Sequence, residues 1–131
     1  MTLAVADSSY ITKGLLKDSS LFKGYVLCSP DYGLYEILNA VWKHEALLKK
    51  VKESGPILDM LFDLVDAERI RFVALTKEAC KKAYELAVKT KTPIYDVGFM
   101  VLARELGVEL KTFDARQAVE FSHFAKSEYM S

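Results

Sequence analysis

Four acidic side chains occupy positions where surface acids are uncommon: Asp7, Glu36, Asp96 and Asp114. Two of them follow segments predicted to be strands, and the other two are the only charges in the apolar segments 32–42 and 92–103. An ionised carboxylate that is removed from water without a partner is strongly destabilised. One divalent cation would neutralise the group, and ligands that are oxygen alone favour Mg²⁺ or Mn²⁺. Because carboxylate-bound Mg²⁺ commonly supports phosphoryl chemistry, these residues predict metal-assisted hydrolysis of phosphodiester bonds.

Each of these acids also has an ordinary structural interpretation. Asp7 could cap a helix, and Asp96 could begin one. Glu36 could form an ion pair with Lys13 or Arg104. Four unusual acids on separate elements are better explained by one shared site than by four independent coincidences, so we expect them to lie close together.

The elements that would position these acids alternate between strands and helices. Four segments are predicted to be extended, at residues 3–6, 25–28, 69–75 (a strand or a connector) and 108–113. Six are predicted to be helical, at residues 10–16, 31–48, 56–65, 77–91, 94–106 and 115–124. Ser8 or Ser9 is the expected N-cap of the first helix, and Thr76 is the expected N-cap of the fourth. Gly107 is expected to end the fifth helix, and Ser29-Pro30 is expected to end the second strand. This alternation is typical of an α/β fold with a largely parallel sheet, in which ligands bind beyond the carboxyl ends of the strands.

Composition sets the class of protein. The chain has 131 residues, of which 51% are apolar, and 18 basic residues balance 18 acidic ones. This length predicts a single domain over residues 1–131. No apolar run approaches the roughly 20 residues that cross a bilayer, and no signal-peptide pattern opens the chain, so we expect a cytoplasmic protein without a membrane partner. Zero net charge argues against a surface built wholly to bind a polyanion, but it leaves room for a local basic rim.

Four motifs occur in order along the whole chain: Asp7-Ser8-Ser9 after the first strand, Tyr35-Glu36-Ile-Leu-Asn39-Ala in an early helix, Tyr95-Asp96-Val-Gly-Phe-Met-Val-Leu-Ala103, and Leu110-Lys-Thr112-Phe-Asp114. In this order and spacing they resemble the PIN domain family, and within it the single-domain toxins of VapBC-type toxin–antitoxin pairs. The resemblance implies a three-layer α/β/α domain around a central, mostly parallel twisted sheet. It also implies an endoribonuclease that cuts single-stranded or loop RNA.

The same resemblance implies roles for individual residues and partners. Asp7, Glu36, Asp96 and Asp114 would bind Mg²⁺ or Mn²⁺, with Ser8, Ser9, Asn39 and Thr112 as polar neighbours. Such toxins are typically homodimers, each held by an antitoxin that inserts a basic side chain near the acids. One departure from the family pattern is Val97-Gly98 after Asp96, where small alanine-like residues are more usual.

Other interpretations stay open on the sequence alone. Arg116 lies two residues after Asp114 and could hold a substrate phosphate, or it could pair with Glu120 one helical turn later. A phosphoacceptor receiver-like domain has a similar length and Mg²⁺-binding acids at strand ends, although Asp7 is followed by serines and not by a second acid. A catalytically silent PIN-type binding module is the third possibility.

Overall fold

A four-stranded parallel sheet forms the centre of the protein, in a computed structural model that describes residues 1–129, with side chains through residue 124. The strands are β1 (Thr2–Ala6), β2 (Tyr25–Pro30), β3 (Ile70–Val73) and β4 (Leu110–Lys111). Their order across the sheet is β3-β2-β1-β4, and every neighbouring pair is parallel. The predicted α/β fold with a parallel sheet is therefore confirmed.

Helices connect and cover these strands. They are α1 (Ser8–Leu16), α2 (Tyr32–Trp42), α3 (Gly55–Asp66), α4 (Lys77–Thr90), α5 (Ile94–Leu106) and α6 (Ala115–Tyr129), with a 3₁₀ turn at Ser19–Phe22 and a π-helical turn at Lys43–Leu47 that continues α2. No helix among the described residues is long and apolar enough to cross a membrane.

The alternation of side chains along β1 produces the three layers. Ala4 and Ala6 are fully buried in one core cluster, which includes Ile11 of α1, Ile37 of α2 and Leu61 of α3. Val5 points to the opposite face and packs against Phe99 and Leu102 of α5. Successive residues of a strand face opposite sides of its sheet, so β1 needs an apolar helical layer on both faces. The α/β/α arrangement is confirmed.

Two strand boundaries differ from the predictions. Ser29 and Pro30 do not stop β2, because they continue its ladder opposite Phe72 and Val73. Pro30 is the last residue of the strand, where a missing N–H is tolerated. The fourth strand is much shorter than the predicted 108–113, since its pairing with β1 ends at Lys111, where the chain leaves β1 to begin α1.

The predicted helix ends are partly right. Thr76 caps α4, with its Oγ1 accepting from the Ala79 N–H at 3.1 Å, and Gly107 ends α5 with φ of 66°. The N-cap of α1 is Asp7 itself, and not Ser8 or Ser9, because the carboxylate Oδ1 accepts from the Tyr10 N–H at 3.0 Å. Asp7 is therefore a cap as well as a candidate site acid.

Candidate active site

The four acids lie on elements that meet at the carboxyl edge of the sheet. Asp7 follows β1, Glu36 lies in α2 just beyond β2, and Asp114 follows β4. Asp96 lies in the first turn of α5, the helix that leads back to the start of β4. Topology therefore brings together residues that are far apart in sequence, at the edge where ligand sites of parallel sheets form.

Asp7 is the most buried of the four, with 3% of its surface exposed. Its Oδ1 accepts from the Ser9 hydroxyl at 2.6 Å as well as from the Tyr10 N–H, and its Oδ2 accepts from the Thr112 hydroxyl. Charge-assisted hydrogen bonds of this kind hold an ionised carboxylate in place. Of the two serines expected near Asp7, Ser9 is thus the one that orients it.

Glu36 and Asp96 are the two acids of the site whose pKa values are raised. Burial, followed by repulsion from Asp96 and Asp7, raises the pKa of Glu36, and a hydrogen bond from Ser8 partly offsets this. Burial also raises the pKa of Asp96, with repulsion from Asp114 and Asp7 adding to it. One oxygen of Glu36, Oε1, is buried without a hydrogen-bond partner among the described residues. The four acids therefore interact through space.

The cations suggested as partners for Glu36 lie over aromatic rings. The Lys13 Nζ is 4.1 Å from the centre of the Phe113 ring, and the Arg104 guanidinium is 4.9 Å from that of Phe124. Both arrangements are cation–π contacts.

Asp114 is exposed and caps α6. Its Oδ1 accepts from the N–H groups of Arg116 at 3.0 Å and Gln117 at 3.2 Å. The Thr112 hydroxyl accepts from the Asp114 N–H at 2.9 Å while it donates to Asp7. Thr112 is therefore the link between the acid after β1 and the acid after β4.

Arg116 and Asn39 differ in how they are held. The Arg116 Nε is 3.0 Å from Glu120 Oε1, which confirms the predicted ion pair within α6. The positive charge of Arg116 also lowers the pKa of Asp96, against the burial and the acids that raise it. Asn39 is exposed on α2, three residues after Glu36. Its amide is accessible from solvent.

Gln117 was missed by the sequence reasoning. Its Nε2 donates to the Asp96 carbonyl oxygen at 3.1 Å and so joins α6 to the first turn of α5. A signal was available, because Asp114 and Gln117 have the spacing of a capping box at the start of a helix.

Tyr32 and Gly98 form a second link that sequence alone did not reveal. The Tyr32 hydroxyl donates to the Tyr95 carbonyl oxygen at 2.7 Å, and the ring packs edge-on against Phe99. A Cβ at residue 98 would lie 1.9 Å from that hydroxyl, so only glycine leaves room for it. The unusual Gly98 therefore leaves space for the Tyr32 side chain, which joins the start of α2 to the first turn of α5.

A known protein is clearly similar to this chain. Ribonuclease VapC3 from Pyrobaculum aerophilum is 32% identical over 93 residues, which cover 70% of this chain and 68% of that protein. This chain belongs to the VapC-type PIN family. No family model matches the chain. Membership in the VapC-type family, together with the sheet order β3-β2-β1-β4, argues against the receiver-like alternative.

The VapC-type PIN family implies a divalent metal, and the donors present fit one by their chemistry. Carboxylate oxygens suit Mg²⁺ and Mn²⁺, and Glu36 offers a buried oxygen that lacks a partner among the described residues. Within residues 1–124, no three His, Cys, Asp or Glu side chains are close enough to hold one ion. Both oxygens of Asp7 already accept hydrogen bonds. Mg²⁺ usually keeps several waters and needs only one or two carboxylates, so the arrangement fits a hydrated ion better than a closed cage.

Proposed function

We propose that this VapC-type chain is a Mg²⁺- or Mn²⁺-dependent endoribonuclease that hydrolyses RNA phosphodiester bonds. One observation carries the proposal: four carboxylates interact with one another at the carboxyl edge of a parallel sheet, and the pKa values of Glu36 and Asp96 are raised. Perturbed acids clustered in this way are a common mark of a functional site. The related protein is a ribonuclease by name, which supports the same chemistry here.

In this proposal Asp7, Glu36, Asp96 and Asp114 hold a hydrated metal ion, which they would bind either directly or through its water molecules. When bound, the ion would lower the pKa of a water molecule and offset negative charge on the phosphodiester. The neighbouring hydroxyls keep the acids oriented: Ser9 and Thr112 donate to Asp7, and Ser8 donates to Glu36. The exposed Asn39 amide is available to a phosphate or ribose oxygen of the substrate.

The biological role that we propose is that of the toxin in a toxin–antitoxin pair. The partners would be an RNA substrate and a cognate antitoxin protein, and the toxin would act as a cytoplasmic homodimer. Support comes from the resemblance to VapBC-type toxins and from membership in the VapC-type family. Co-expression with a candidate antitoxin, followed by co-purification, would test the pairing. Light scattering on the purified chain would test the dimer.

The decisive experiment is a calorimetric titration with Mn²⁺. Wild type should bind, Asp96→Asn should bind much more weakly, and Asp59→Asn should behave as wild type because Asp59 is an exposed acid on α3, outside the site. Absence of Mn²⁺ binding by the wild type would contradict the metal-dependent mechanism.

A cleavage assay then separates an enzyme from a silent module. Wild type with Mn²⁺ should cleave a mixed pool of single-stranded RNA, and both EDTA and Asp96→Asn should abolish cleavage. Mn²⁺ binding with no turnover on any RNA in the pool would favour the catalytically silent binding module instead.

A further inference from the structure

A groove between α1 and α2 opens next to the acid cluster. Its volume is about 370 Å³, and the polar residues that line it are Ser8, Ser9, Thr12, Lys13, Lys17 and His44. Ser8 and Ser9 belong to both places, because their hydroxyls donate to Glu36 and to Asp7. The groove therefore continues directly from the proposed catalytic acids.

The charge of this groove is opposite to that of the acid cluster. Lys13 lies in the last turn of α1 and Lys17 is the C-cap of that helix, and both side chains are exposed. Within the described part of the chain, no carboxylate lies within ion-pair distance of either lysine, whereas Lys82 and Lys111 each pair with a glutamate. The His44 Nδ1 is 2.9 Å from the Ala40 carbonyl oxygen, which leaves Nε2 available to a ligand. Lys13 has a cation–π contact with Phe113, but among residues 1–124 neither lysine has an anionic partner, so positive charge is concentrated along one wall.

Thr12 supplies an independent sign that a ligand belongs here. The residue is 8% exposed and lines the groove, yet its Oγ1 has no hydrogen-bond partner among the described residues. Buried hydroxyls are nearly always paired, because an unpaired one loses its hydrogen bonds to water without replacement. The Thr12 hydroxyl is closed to solvent, so it would donate to a phosphate oxygen once its side chain turned toward the groove, where Lys13 would attract the same phosphate.

We propose that this groove binds the sugar–phosphate backbone of single-stranded RNA and leads the strand to the acid cluster. The inference rests on the proposed ribonuclease function and adds the path of the substrate. Lysines and hydroxyls are common donors to phosphate oxygens, and the groove is lined by both. The groove therefore offers the donors that a phosphate backbone requires.

The test measures the binding of a fluorescein-labelled 12-nucleotide single-stranded RNA by anisotropy, in EDTA so that no metal-dependent turnover occurs. The variant is Lys13→Gln/Lys17→Gln. The matched control is Lys77→Gln/Lys81→Gln, which removes two exposed lysines with the same spacing from α4. Each phosphate contact on a single strand adds about 0.7 to the slope of log affinity against log salt, so the groove variant should lose about 1.4 of slope. The control should keep the wild-type slope.

A further variant tests whether the groove is a built site. Thr12→Val should weaken RNA binding roughly two- to tenfold with an unchanged salt slope, because it removes a neutral hydrogen bond and no charge. Equal loss of slope in the Lys13/Lys17 and Lys77/Lys81 variants would overturn the proposal, since binding would then be generic. An acidic 12-residue peptide that displaces the RNA at equal concentration would also overturn it, in favour of a protein partner.

Cleavage assays distinguish failure of this inference from failure of the proposed function. Mn²⁺-dependent cleavage with an unchanged KM in Lys13→Gln/Lys17→Gln would refute the groove and leave the ribonuclease intact. A selective loss of salt slope in that variant, in a protein that cleaves no RNA, would keep the groove and refute the ribonuclease.

Discussion

Gly98→Ala gives the sharpest test of how α2 and α5 are held together. The new Cβ would lie 1.9 Å from the Tyr32 hydroxyl, whereas ordinary contact begins near 3.4 Å. Tyr32 must therefore move and lose its hydrogen bond to the Tyr95 carbonyl oxygen. Overpacking costs about 1–3 kcal/mol, and the lost hydrogen bond costs about 1 kcal/mol. The better helix propensity of alanine offsets about 1 kcal/mol of these costs. We therefore expect Gly98→Ala to lower the free energy of unfolding by about 1–3 kcal/mol.

Tyr32→Phe should rescue this variant. Without the hydroxyl, the nearest atom to the new Cβ is the ring carbon Cζ at 3.1 Å, which requires a shift of only a few tenths of an ångström. In the Tyr32→Phe background Gly98→Ala should change stability by less than about 1 kcal/mol, because the helix-propensity gain offsets the small repacking cost. The two sites should therefore show a coupling energy of about 2 kcal/mol.

The assay is urea unfolding of wild type, both single variants and the double variant, at one protein concentration and without divalent metal. Gly55→Ala serves as the control, since the nearest atom to its Cβ position among the described residues is Glu53 Oε1 at an ordinary 3.6 Å. A coupling energy below about 0.5 kcal/mol would refute the steric reasoning. So would destabilisation by Gly98→Ala of the same size in both backgrounds.

Three further outcomes follow from single contacts. The raised pKa of Glu36 means that the folded chain disfavours the ionised carboxylate, so Glu36→Gln should stabilise the metal-free protein at pH 7 in urea unfolding. The gain should vanish below pH about 4, where the carboxyl group is protonated in both states, and a gain that is independent of pH would contradict this. Thr112→Val removes the hydroxyl that joins Asp7 to Asp114 and should cost about 1.5–3 kcal/mol in urea unfolding; a neutral effect would mean that the link carries no stability. Gly107→Ala places a side chain at φ of 66° and should cost about 1 kcal/mol by the same measurement, despite open space around it.

Local chemistry made several features predictable from the sequence. The apolar run before Asp7 predicted a strand, Thr76 predicted a helix start, and Gly107 predicted a helix end, because each depends on residues that are neighbours along the chain. The motif order predicted the family in the same way. The presence of acids at the ends of elements is likewise a local property, so the candidate residues could be named before their positions were known.

Tertiary structure alone decided which of these residues meet. Thr112 contacts Asp7 across 105 positions of sequence, and Tyr32 contacts Tyr95 across 63. The continuation of β2 through Pro30 depended on a partner strand some 40 residues later, and the early end of β4 depended on where its neighbour turns into a helix. A sequence pattern records the preferences of a segment for burial and conformation. The partner of each segment follows from the order of strands in the sheet and from the packing of helices on its two faces, which only the assembled chain determines.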